Sequence, residues 1–482
     1  MPRQCIIMKF GGTSMGDAAC VRRAAEIVAA AAKADPVVVV VSAMGGVTNL
    51  LIDSAHRSAR GESVAADELA GSLREQHHAA IEQLIDDGPH RKDLTTEVDL
   101  VIDEITSFCR GSALLRELTP RTLDVISSGG EKLSARLMAS TLRTLGVKSE
   151  AVDATKFLVT DNFSGRAEPL MFETRERAND VLVPMIDAQS VPVVTGFIGA
   201  TTQGMLTTLG RGGSDYSATI LAAALDAKEV IIWTDVDGVL TADPRLVSSA
   251  RTLREITYNE AAELAYFGAR VLHPKTLRPV SEAGIPVWIR NSFSPDRAGT
   301  KITTTGHPSA RGVKAITAIT EVTLITVGGR GMVGSPGVAA RIFGAVASTH
   351  ANVLLISQSS SENDICFIVN SVDAERTVEK LRETFGLDQP NTVGRKEVEH
   401  IEVNRDIAIV AVVGDRMRGM PGIAGRTFNN LGQQGINIIA IAQGSSEYNV
   451  SFVLETARMQ EAVQSLHNEF GLERPGVIEG ER

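Results

Sequence analysis

The stretch from Thr208 to Ser217, TLGRGGSDYS, carries residue types suited to binding an anion. Glycines surround Arg211, and Ser214 and Asp215 open an apolar run. Glycines let the main chain approach a ligand, a helix start carries partial positive charge, and arginine binds carboxylate or phosphate through two parallel hydrogen bonds. The pattern predicts a loop entering a helix that Ser214 or Asp215 caps. A plain helix cap after a glycine turn is the alternative that this stretch leaves open.

A second glycine loop follows the first apolar run of the chain and has a lysine just before it. It contains Lys9, Phe10, Gly11, Gly12 and Ser14, and an alanine-rich helix is predicted from Asp17 to Ala34. A strand, a glycine loop and a helix in this order form a phosphate cradle of backbone N–H groups. The loop matches neither GxxxxGK[ST] nor GxGxxG, which argues against a P-loop or a dinucleotide fold. For Lys9 alone, a solvated strand end is the alternative.

Further strand ends carry similar polar residues. The valine run 37–41 is typical of a parallel strand covered on both faces, and Ser42 and Thr48 follow it around two glycines. Another predicted strand, 229–234, ends in Thr234 and Asp235. Ligands of open α/β sheets bind at the carboxyl ends of the strands, so we expect these side chains at one edge. Plain helix caps are the alternative for Ser42 and Thr48.

Glu131 follows a glycine pair in Ser127–Leu133 and opens another predicted helix. An acidic residue favours a helix N-terminus, but near several cations it could also hold the ammonium group of an amino acid. Alternation of strands and helices up to a closing strand at 286–291 predicts a three-layer αβα domain. The Pro-, Gly- and Thr-rich stretch 294–312 is predicted to be a linker.

The C-terminal part of the chain is an internal repeat. Asn352 and Gln358 recur as Asn437 and Gln443, an offset of 85 positions in both cases (437 − 352 and 443 − 358). Each copy predicts a strand, a Pro-Gly turn, a helix, two strands joined by a Ser-Ser-Glu turn, and a second helix. Units with exposed strand edges pair side by side or across a dimer axis. The repeats carry no pattern of a nucleophile, base or metal cluster.

Size and composition restrict the class of protein. A chain of 482 residues predicts two to four domains. A net charge of −10 without a basic run argues against a nucleic-acid partner. The four cysteines form no CxxC pair, which fits a reducing, cytoplasmic setting without structural zinc or disulfides. We expect no signal sequence and no membrane span, because every apolar run is short.

With these motifs in place, the chain resembles the aspartate kinase family, amino acid kinases with two C-terminal ACT domains. The resemblance covers nearly the whole length. It rests on Lys9–Ser14, Ser42–Asn49, Ser128–Glu131, Thr208–Asp215, Thr234–Gly238 with Asp243–Arg245, and Phe267–Pro274. It implies a three-layer αβα kinase domain over residues 1–305, followed by two α+β, ferredoxin-like ACT domains. These would span 320–400 and 406–482, the second completed by a strand from 312–320.

The resemblance also implies a role for each motif residue. Lys9 would bridge the transferring phosphoryl group and Asp215 would order the site, both as catalytic residues. The substrate residues would be Ser42, Thr48, Glu131, Arg211 and Ser214, with Glu131 on the ammonium group and Arg211 with Ser214 on the carboxylates. The nucleotide residues would be Lys9, Phe10, Gly11, Gly12, Ser14, Thr234, Asp235, Leu240, Arg245 and Arg270. Arg270 replaces a frequent lysine, and Leu240 a frequent aromatic residue.

The implied reaction is ATP-dependent phosphorylation of the side-chain carboxylate of L-aspartate to 4-phospho-L-aspartate. This is the first step towards lysine, threonine and methionine, and Mg²⁺ would be held by phosphates and water rather than by a protein metal site. Lys9→Ala is expected to lower kcat with little effect on folding. The alternatives are a kinase of another small acidic amino acid, such as glutamate, and a catalytically silent amino-acid sensor.

The ACT pair implies feedback by an amino acid and homo-oligomers formed through the ACT domains. Asn352, Gln358, Asn437 and Gln443 are the candidate effector residues. The Gln-Ser-Ser-Ser-Glu and Gln-Gly-Ser-Ser-Glu strings resemble threonine-sensitive members more than lysine-sensitive ones. Threonine is therefore the favoured effector, with lysine as the alternative. Amides that only satisfy strand edges are the other explanation for these four residues.

Overall fold

The structure, a computed structural model, describes residues 4–268, 272–306, 312–358, 363–388, 397–415, 417, 420–442 and 448–474. The described chain forms two compact units. The first holds residues 4–239, 252–262 and 272–306, and the second holds 240–251, 263–268 and the described residues from 312 onward. Two stretches that precede the last segment of the first unit, 240–251 and 263–268, therefore belong to the second unit.

The first unit contains eleven described strands and ten helices that start within it. The strands are β1 Ile6–Phe10, β2 Val37–Val41, β3 Ser149–Val152, β4 Val159–Thr160, β5 Val191–Thr195, β6 Ile198–Thr201, β7 Leu206–Thr208, β8 Glu229–Thr234, β9 Glu255–Thr257, β10 Val287–Asn291 and β11 Thr300–Thr303. The helices are α1 Ala18–Ala31, α2 Val47–Ala59, α3 Ala65–Leu84, α4 Pro89–Leu115, α5 Pro120–Ser127, α6 Gly129–Thr144, α7 Met171–Asp187, α8 Gly213–Ala224, α9 Tyr258–Tyr266 and α10 Pro274–Ala283.

The main sheet of this unit has eight strands in the order β3-β5-β2-β1-β8-β10-β11-β9, and β4, β6 and β7 form a small second sheet. The six strands from β3 to β10 are parallel. Phe10 lies opposite both Val41 and Trp233, and Val41 lies opposite Thr195. The carboxyl ends of four neighbouring strands are therefore level, and the loops that follow them share one edge.

Burial explains why β2 is central. All five of its valines are at most 3% exposed, as an unbroken apolar run predicts for a parallel strand covered on both faces. Val37, Val39 and Val41 lie in a core with α1, α3, α4 and α6. Helix α8 packs against β1, β2 and β8. The three-layer α/β domain predicted from the sequence is confirmed.

Two predictions at the end of this unit were wrong. The strand at 286–291 does not close the sheet, because β11 pairs with β10 in the antiparallel direction and β9 follows. The predicted linker 294–312 contains β11. The sequence Thr300-Lys-Ile-Thr303 is only four residues long and is flanked by turn formers, so its strand pattern was too short to recognise.

The second unit contains a six-stranded antiparallel sheet in the order β13-β14-β12-β15-β17-β16. Its strands are β12 Ala315–Gly328, β13 Val353–Gln358, β14 Asp364–Asn370, β15 His400–Val413, β16 Ala440–Ala442 and β17 Asn449–Glu455. Its helices are α11 Val338–Ser348, α12 Ser371–Phe385, α13 Ile423–Gln433 and α14 Met459–Glu469. The first part of β12, Ala315–Ile319, pairs with the last part of β15, Ile409–Val413.

The internal repeat is visible in the packing of aromatic rings. Phe343 packs edge-on against Phe367 with ring centroids 5.7 Å apart, and Phe428 packs in the same way against Phe452 at 6.0 Å. Both residues of the second pair follow those of the first by 85 positions (428 − 343 and 452 − 367). Each pair lies in its own apolar core. The order of strands and helices in the two copies is the one the repeat predicted.

Residues 240–251 pack into the core of the second copy. Ala242 and Val247 are buried there. The Thr241 carbonyl accepts a hydrogen bond from the Ile316 N–H at 2.8 Å, and the Thr241 hydroxyl lies 2.9 Å from Nε2 of buried His467. This stretch is thus part of the fold of the second unit. Among the described helices of the whole chain, none is both long enough and apolar enough to cross a membrane.

Candidate active site

The arginine loop enters α8 through a glycine cap. Gly212 is the N-cap residue with a φ of 70°, and Gly210 has a φ of 78°, a left-handed conformation that glycine adopts without strain. Ser214 and Asp215 are the second and third residues of the helix, and no side chain caps it. The predicted capping by Ser214 or Asp215 was wrong. The Gly213 N–H donates to the Gly210 carbonyl at 2.9 Å, so the N–H groups of Ser214 and Asp215 are the ones at this helix start that an anion could accept from.

Lys9 forms an ion pair with Asp215. The lysine is only 7% exposed, one residue before the end of β1, and Gly11 follows within reach of its ammonium group. A Cβ atom at Gly11 would lie 3.3 Å from Lys9 Nζ, so glycine keeps the space beside the cation open. The strand and the start of α8 together hold a fixed charge pair at the sheet edge.

Glu131 is a buried carboxyl group next to this pair. It is 4% exposed, and its Oε1 accepts a hydrogen bond from the Ala43 N–H at 3.2 Å. Burial raises its pKa to about 8, more than that N–H and the charge of Lys9 lower it. Its Oε2 has no hydrogen-bond partner among the described residues. A buried, half-satisfied carboxyl group of this kind is suited to a cationic ligand.

Close backbone contacts fix the loops around these groups. The Ser42 N–H donates to the Phe10 carbonyl at 3.0 Å, and the Gly196 N–H donates to the Val41 carbonyl at 3.0 Å. A Cβ atom at Gly196 would lie 2.8 Å from the Cβ of Ser214, so glycine is required for α8 to approach the ends of β2 and β5. Ser42 and Thr48 lie, half-buried, before and at the start of α2.

Arg211 is exposed, and its side chain makes no hydrogen bond or ion pair with the part of the chain that the structure describes. It lies close enough to His273 to affect its titration: the pKa of His273 is lowered first by burial and then by the charges of Lys275 and Arg211. Lys9 contacts Asp215, and Arg211 is four positions before Asp215 in the same loop and helix. The two predicted cations are therefore associated with one helix start.

The predicted nucleotide residues have unequal surroundings. The Phe10 ring is fully buried and stacked on Trp233, so only its main chain could contact a ligand. The Ser14 hydroxyl is buried and lies 2.8 Å from Ser292 Oγ. Thr234 and Asp235 are accessible at the end of β8, where the Thr234 hydroxyl donates to Asp235 at 3.1 Å.

Three further candidates lie elsewhere in the chain. Leu240 and Arg245 belong to the second unit, where Arg245 is exposed and forms a bidentate ion pair with Asp243. Arg270 lies outside the described residues. No group of three or more His, Cys, Asp or Glu side chains is placed to hold a metal within the described ranges.

The effector candidates are all exposed where the structure describes them. Asn352 directly precedes β13 and Gln358 ends it, so about 20 Å of strand separates them. They cannot line one small pocket within a single copy. Gln358 lines a cleft of about 320 Å³ together with Met332, Gly337 and Ile365. Asn437 follows α13, and Gln443 lies outside the described residues.

Sequence reasoning missed two carboxylates that organise the site. Asp124 of α5 accepts hydrogen bonds from Thr208 and from the Gly165 N–H, and Asp237 accepts one from Asn291 Nδ2 at 2.7 Å and forms an ion pair with Arg297. Asp237 lies in a quoted motif but had no assigned role. Asp124 lies outside every motif, and no local pattern distinguishes it from a surface aspartate.

Comparisons with known proteins place these features in context. The amino acid kinase family model matches residues 4–291, and the ACT domain model matches 325–385 and 410–470. The chain is 35% identical, over 98% of its length, to bifunctional aspartokinase/homoserine dehydrogenase 1, chloroplastic, of Arabidopsis thaliana, and covers 53% of that protein. It thus spans about half the length of the bifunctional relatives that it matches. It is 33% identical to aspartokinase 1, chloroplastic, of the same plant and covers 80% of it.

A solved structure is similar over both units. The crystal structure of E. coli aspartokinase III in complex with aspartate and ADP has a TM-score of 0.79 and 32% sequence identity. The match covers 97% of this chain and 99% of that one. The same E. coli protein in complex with lysine and aspartate also has a TM-score of 0.79.

Proposed function

Because the chain belongs to the amino acid kinase family and, within it, to the aspartokinases, we propose that it transfers the γ-phosphoryl group of ATP to the side-chain carboxylate of L-aspartate. The product is 4-phospho-L-aspartate, at the start of the route to lysine, threonine and methionine. The E. coli relative contains aspartate and ADP, which supports both substrates. The kinase domain is proposed to span 1–305, and the ACT domains 320–400 and 406–482.

The observation that carries this proposal is the arrangement of charges at the carboxyl edge of the main sheet. Aspartate presents one ammonium and two carboxylate groups. Buried Glu131 is matched to the ammonium group, and exposed Arg211 with the open start of α8 is matched to a carboxylate. Lys9 lies beside Glu131 and Asp215, where a phosphoryl group would need a cation.

The chemistry requires no general base. The aspartate side chain has an ordinary pKa of about 3.9, so it is already ionised at neutral pH. One carboxylate oxygen forms a bond to the γ-phosphorus while the bond to the β–γ bridging oxygen breaks, and ADP leaves with the electron pair. What the protein must supply is alignment and stabilisation of negative charge on the phosphoryl oxygens. Lys9, Arg211 and the N–H groups of the glycine loops supply it.

The proposed contacts of ATP and Mg²⁺ follow from the charges at the same edge of the sheet. Gly11, Gly12, Thr234 and Asp235 lie in loops at the sheet edge and are proposed to contact ATP, with Leu240, Arg245 and Arg270 as further candidates. Among the described residues, no group of three or more His, Cys, Asp or Glu side chains is placed to hold a metal, and Asp215 is paired with Lys9. Mg²⁺ would therefore be held largely by ATP phosphates and water, where it neutralises phosphate charge.

The test is ATP-dependent formation of acyl phosphate, trapped with hydroxylamine, using aspartate and glutamate in parallel. The expected result is turnover with aspartate and at least ~100-fold lower kcat/KM with glutamate. Preference for glutamate would replace this function by that of another acidic amino acid kinase. Absence of turnover with any acid, in a protein that still binds amino acids, would establish a silent sensor.

We further propose that the ACT pair binds an amino-acid effector and mediates homo-oligomer formation. The N-cap residues of α11 and α13 are Gly337 and Gly422, both with φ above 90°, and no side chain caps either helix. Such helix starts bind carboxylates, and Gln358 lines the cleft at the first of them. The E. coli relative contains lysine, whereas the Gln-Ser-Ser string of this chain favours threonine. Titration with threonine, lysine and both together distinguishes them, and no inhibition in any arm would refute effector binding.

A further inference from the structure

Asp124 is a buried carboxylate whose described partners are all hydrogen-bond donors of the protein. It is 3% exposed. Its Oδ1 accepts from the Thr208 hydroxyl at 2.6 Å, and its Oδ2 accepts from the Gly165 N–H at 3.0 Å and the Thr208 N–H at 3.3 Å. A carboxylate is strongly desolvated in such a place, and hydrogen bonds to it are the shorter, charge-assisted kind. The free-energy cost of desolvating this carboxylate is offset where its hydrogen bonds fix a conformation that the protein needs.

The bonds fix the start of the arginine loop. Thr208 is the last residue of β7, and Arg211 is three residues later. The Ala167 N–H donates to the Thr208 carbonyl at 2.9 Å, so Thr208 is fixed through its N–H, its hydroxyl and its carbonyl. At Gly210, a Cβ atom would lie 2.8 Å from the Gly165 carbonyl oxygen. The two loops held by Asp124 are therefore packed against each other directly before Arg211.

The helix of Asp124 also leads to Glu131. Asp124 lies in α5, and its carbonyl accepts from the Ser128 N–H at 3.0 Å. Ser128 is followed at once by α6, whose third residue is Glu131. The path from Asp124 through Ser128 to Glu131 is rigid, because α5 and α6 are joined without a loop. One short helix thus links the loop that carries the carboxylate-binding arginine to the residue proposed for the ammonium group.

We infer that Asp124 is a positioning residue that sets the separation between Arg211 and Glu131, and that it thereby holds the carboxylate-binding and ammonium-binding groups of the site in one fixed relation. This inference rests on the proposed function, since it takes Arg211 and Glu131 as the two ends of the substrate site. Asp124 itself touches no substrate. Its removal frees the loop, so the carboxylate end of the site no longer has one defined position.

The experiment compares graded variants of the full chain. Asp124→Asn keeps an acceptor for the two N–H groups and can accommodate the Thr208 hydroxyl, whereas Asp124→Ala keeps neither. Displacement of a binding group by about 1 Å costs up to ~100-fold in rate. We expect kcat/KM for aspartate to fall about 100-fold in Asp124→Ala and about 10-fold in Asp124→Asn. KM for aspartate should rise, while KM for ATP should stay within about two-fold.

Two further comparisons separate positioning from general stability. Thr208→Ser keeps the hydroxyl and is expected to behave like the wild type, while Thr208→Val is expected to resemble Asp124→Asn. The matched control is Asp161→Asn, because Asp161 accepts N–H bonds from Phe163 and Glu168 in the neighbouring loop but none from Thr208. Calorimetric titration with aspartate alone gives a second readout, with weaker binding expected in the same order.

The outcomes distinguish this inference from the proposed function. Suppose first that the wild type phosphorylates aspartate, so that the proposed function stands. The inference is then wrong if KM for aspartate and KM for ATP rise together in the Asp124 variants, and also if only their melting temperature falls. If the wild type prefers another acid, the function is wrong, and the inference survives only if kcat/KM for that acid falls in Asp124→Asn. If Asp124→Ala fails to fold, Asp124→Asn and Thr208→Val carry the test. If the wild type phosphorylates no acid, both are wrong.

Discussion

Replacing Glu131 by glutamine tests the electrostatics of the proposed site most directly. The pKa of this carboxyl group is raised to about 8 by burial, so at pH 7 about ten molecules are protonated for each one ionised. An ammonium group favours the ionised form. Binding of aspartate at pH 7 is therefore expected to release about 0.9 proton from Glu131.

The same equilibrium fixes the pH dependence of affinity. The ionised fraction of Glu131 rises from about one in eleven at pH 7 to about one half at pH 8, so aspartate should bind about five-fold more tightly at pH 8. The sign follows from the direction of the shift. Because the pKa is raised, the anion that attracts the ammonium group is lost as pH falls below 8. In Glu131→Gln the affinity is lower and does not change over this range.

The pKa also predicts a stability difference. In the wild type, Glu131 has to take up a proton on folding at any pH between its ordinary pKa of 4.5 and its folded pKa of about 8. The free-energy cost of this protonation grows by about 1.4 kcal/mol for each pH unit in that range. Glu131→Gln avoids this cost. Its melting temperature, relative to the wild type, should therefore rise steadily from pH 5 to pH 8 and level off above.

Two measurements check these numbers. Calorimetric titration of aspartate at pH 7 in two buffers of different ionisation enthalpy gives the number of protons released. Thermal melts of wild type and Glu131→Gln from pH 5 to pH 9 give the stability difference. Release of fewer than about 0.3 proton, together with pH-independent affinity in the wild type, would show that Glu131 does not bind the ammonium group.

Three other perturbations follow from contacts in the structure. Lys9→Ala should lower kcat at least ~100-fold, and near-normal turnover would remove Lys9 from the chemistry. The sequence predicted little effect of this change on folding. Because Asp215 would lose its partner, however, we expect a loss of about 3 kcal/mol in the free energy of unfolding. Gly196→Ala should raise KM for aspartate and cost about 1–3 kcal/mol, since the new methyl group meets Ser214 and the Val41 carbonyl at 2.8 Å; unchanged kinetics and melting would contradict the predicted clash. Gln358→Ala should raise the concentration of threonine needed for half-inhibition at least ~10-fold, and an unchanged value would exclude Gln358 from effector binding.

Much of the fold followed from short patterns, and the differences from prediction have physical causes. The valine run predicted β2 because a strand buried on both faces has no polar positions, and the 85-residue offset predicted the paired copies. Strand β11 was missed because four residues give too little alternation. The helix cap was assigned to Ser214 or Asp215 because side-chain caps are common, whereas the chain uses the positive φ of Gly212.

For the candidate site, the sequence predicted residues but not their partners. Glycine loops after strands show which edge binds a ligand, since parallel strands bring their carboxyl ends together. They do not show that Lys9 pairs with Asp215, more than 200 positions away, or that Asp124 fixes Thr208. Those contacts depend on long-range packing, and only coordinates reveal them.

The assignment of residues 240–251 to the second unit limits how this protein can be divided. Arg245, a candidate for nucleotide contact, is on a stretch whose Ala242 and Val247 are buried with residues of β12, β15 and β17, which come later in the chain. No single cut between the kinase and ACT sequences separates the two units, because residues 240–251 and 263–268 of the second unit precede the last segment of the first. An excised kinase fragment would contain residues 240–251 without the strands that bury Ala242 and Val247, so these apolar side chains would be exposed to solvent. Low activity in such a fragment would therefore say little about regulation.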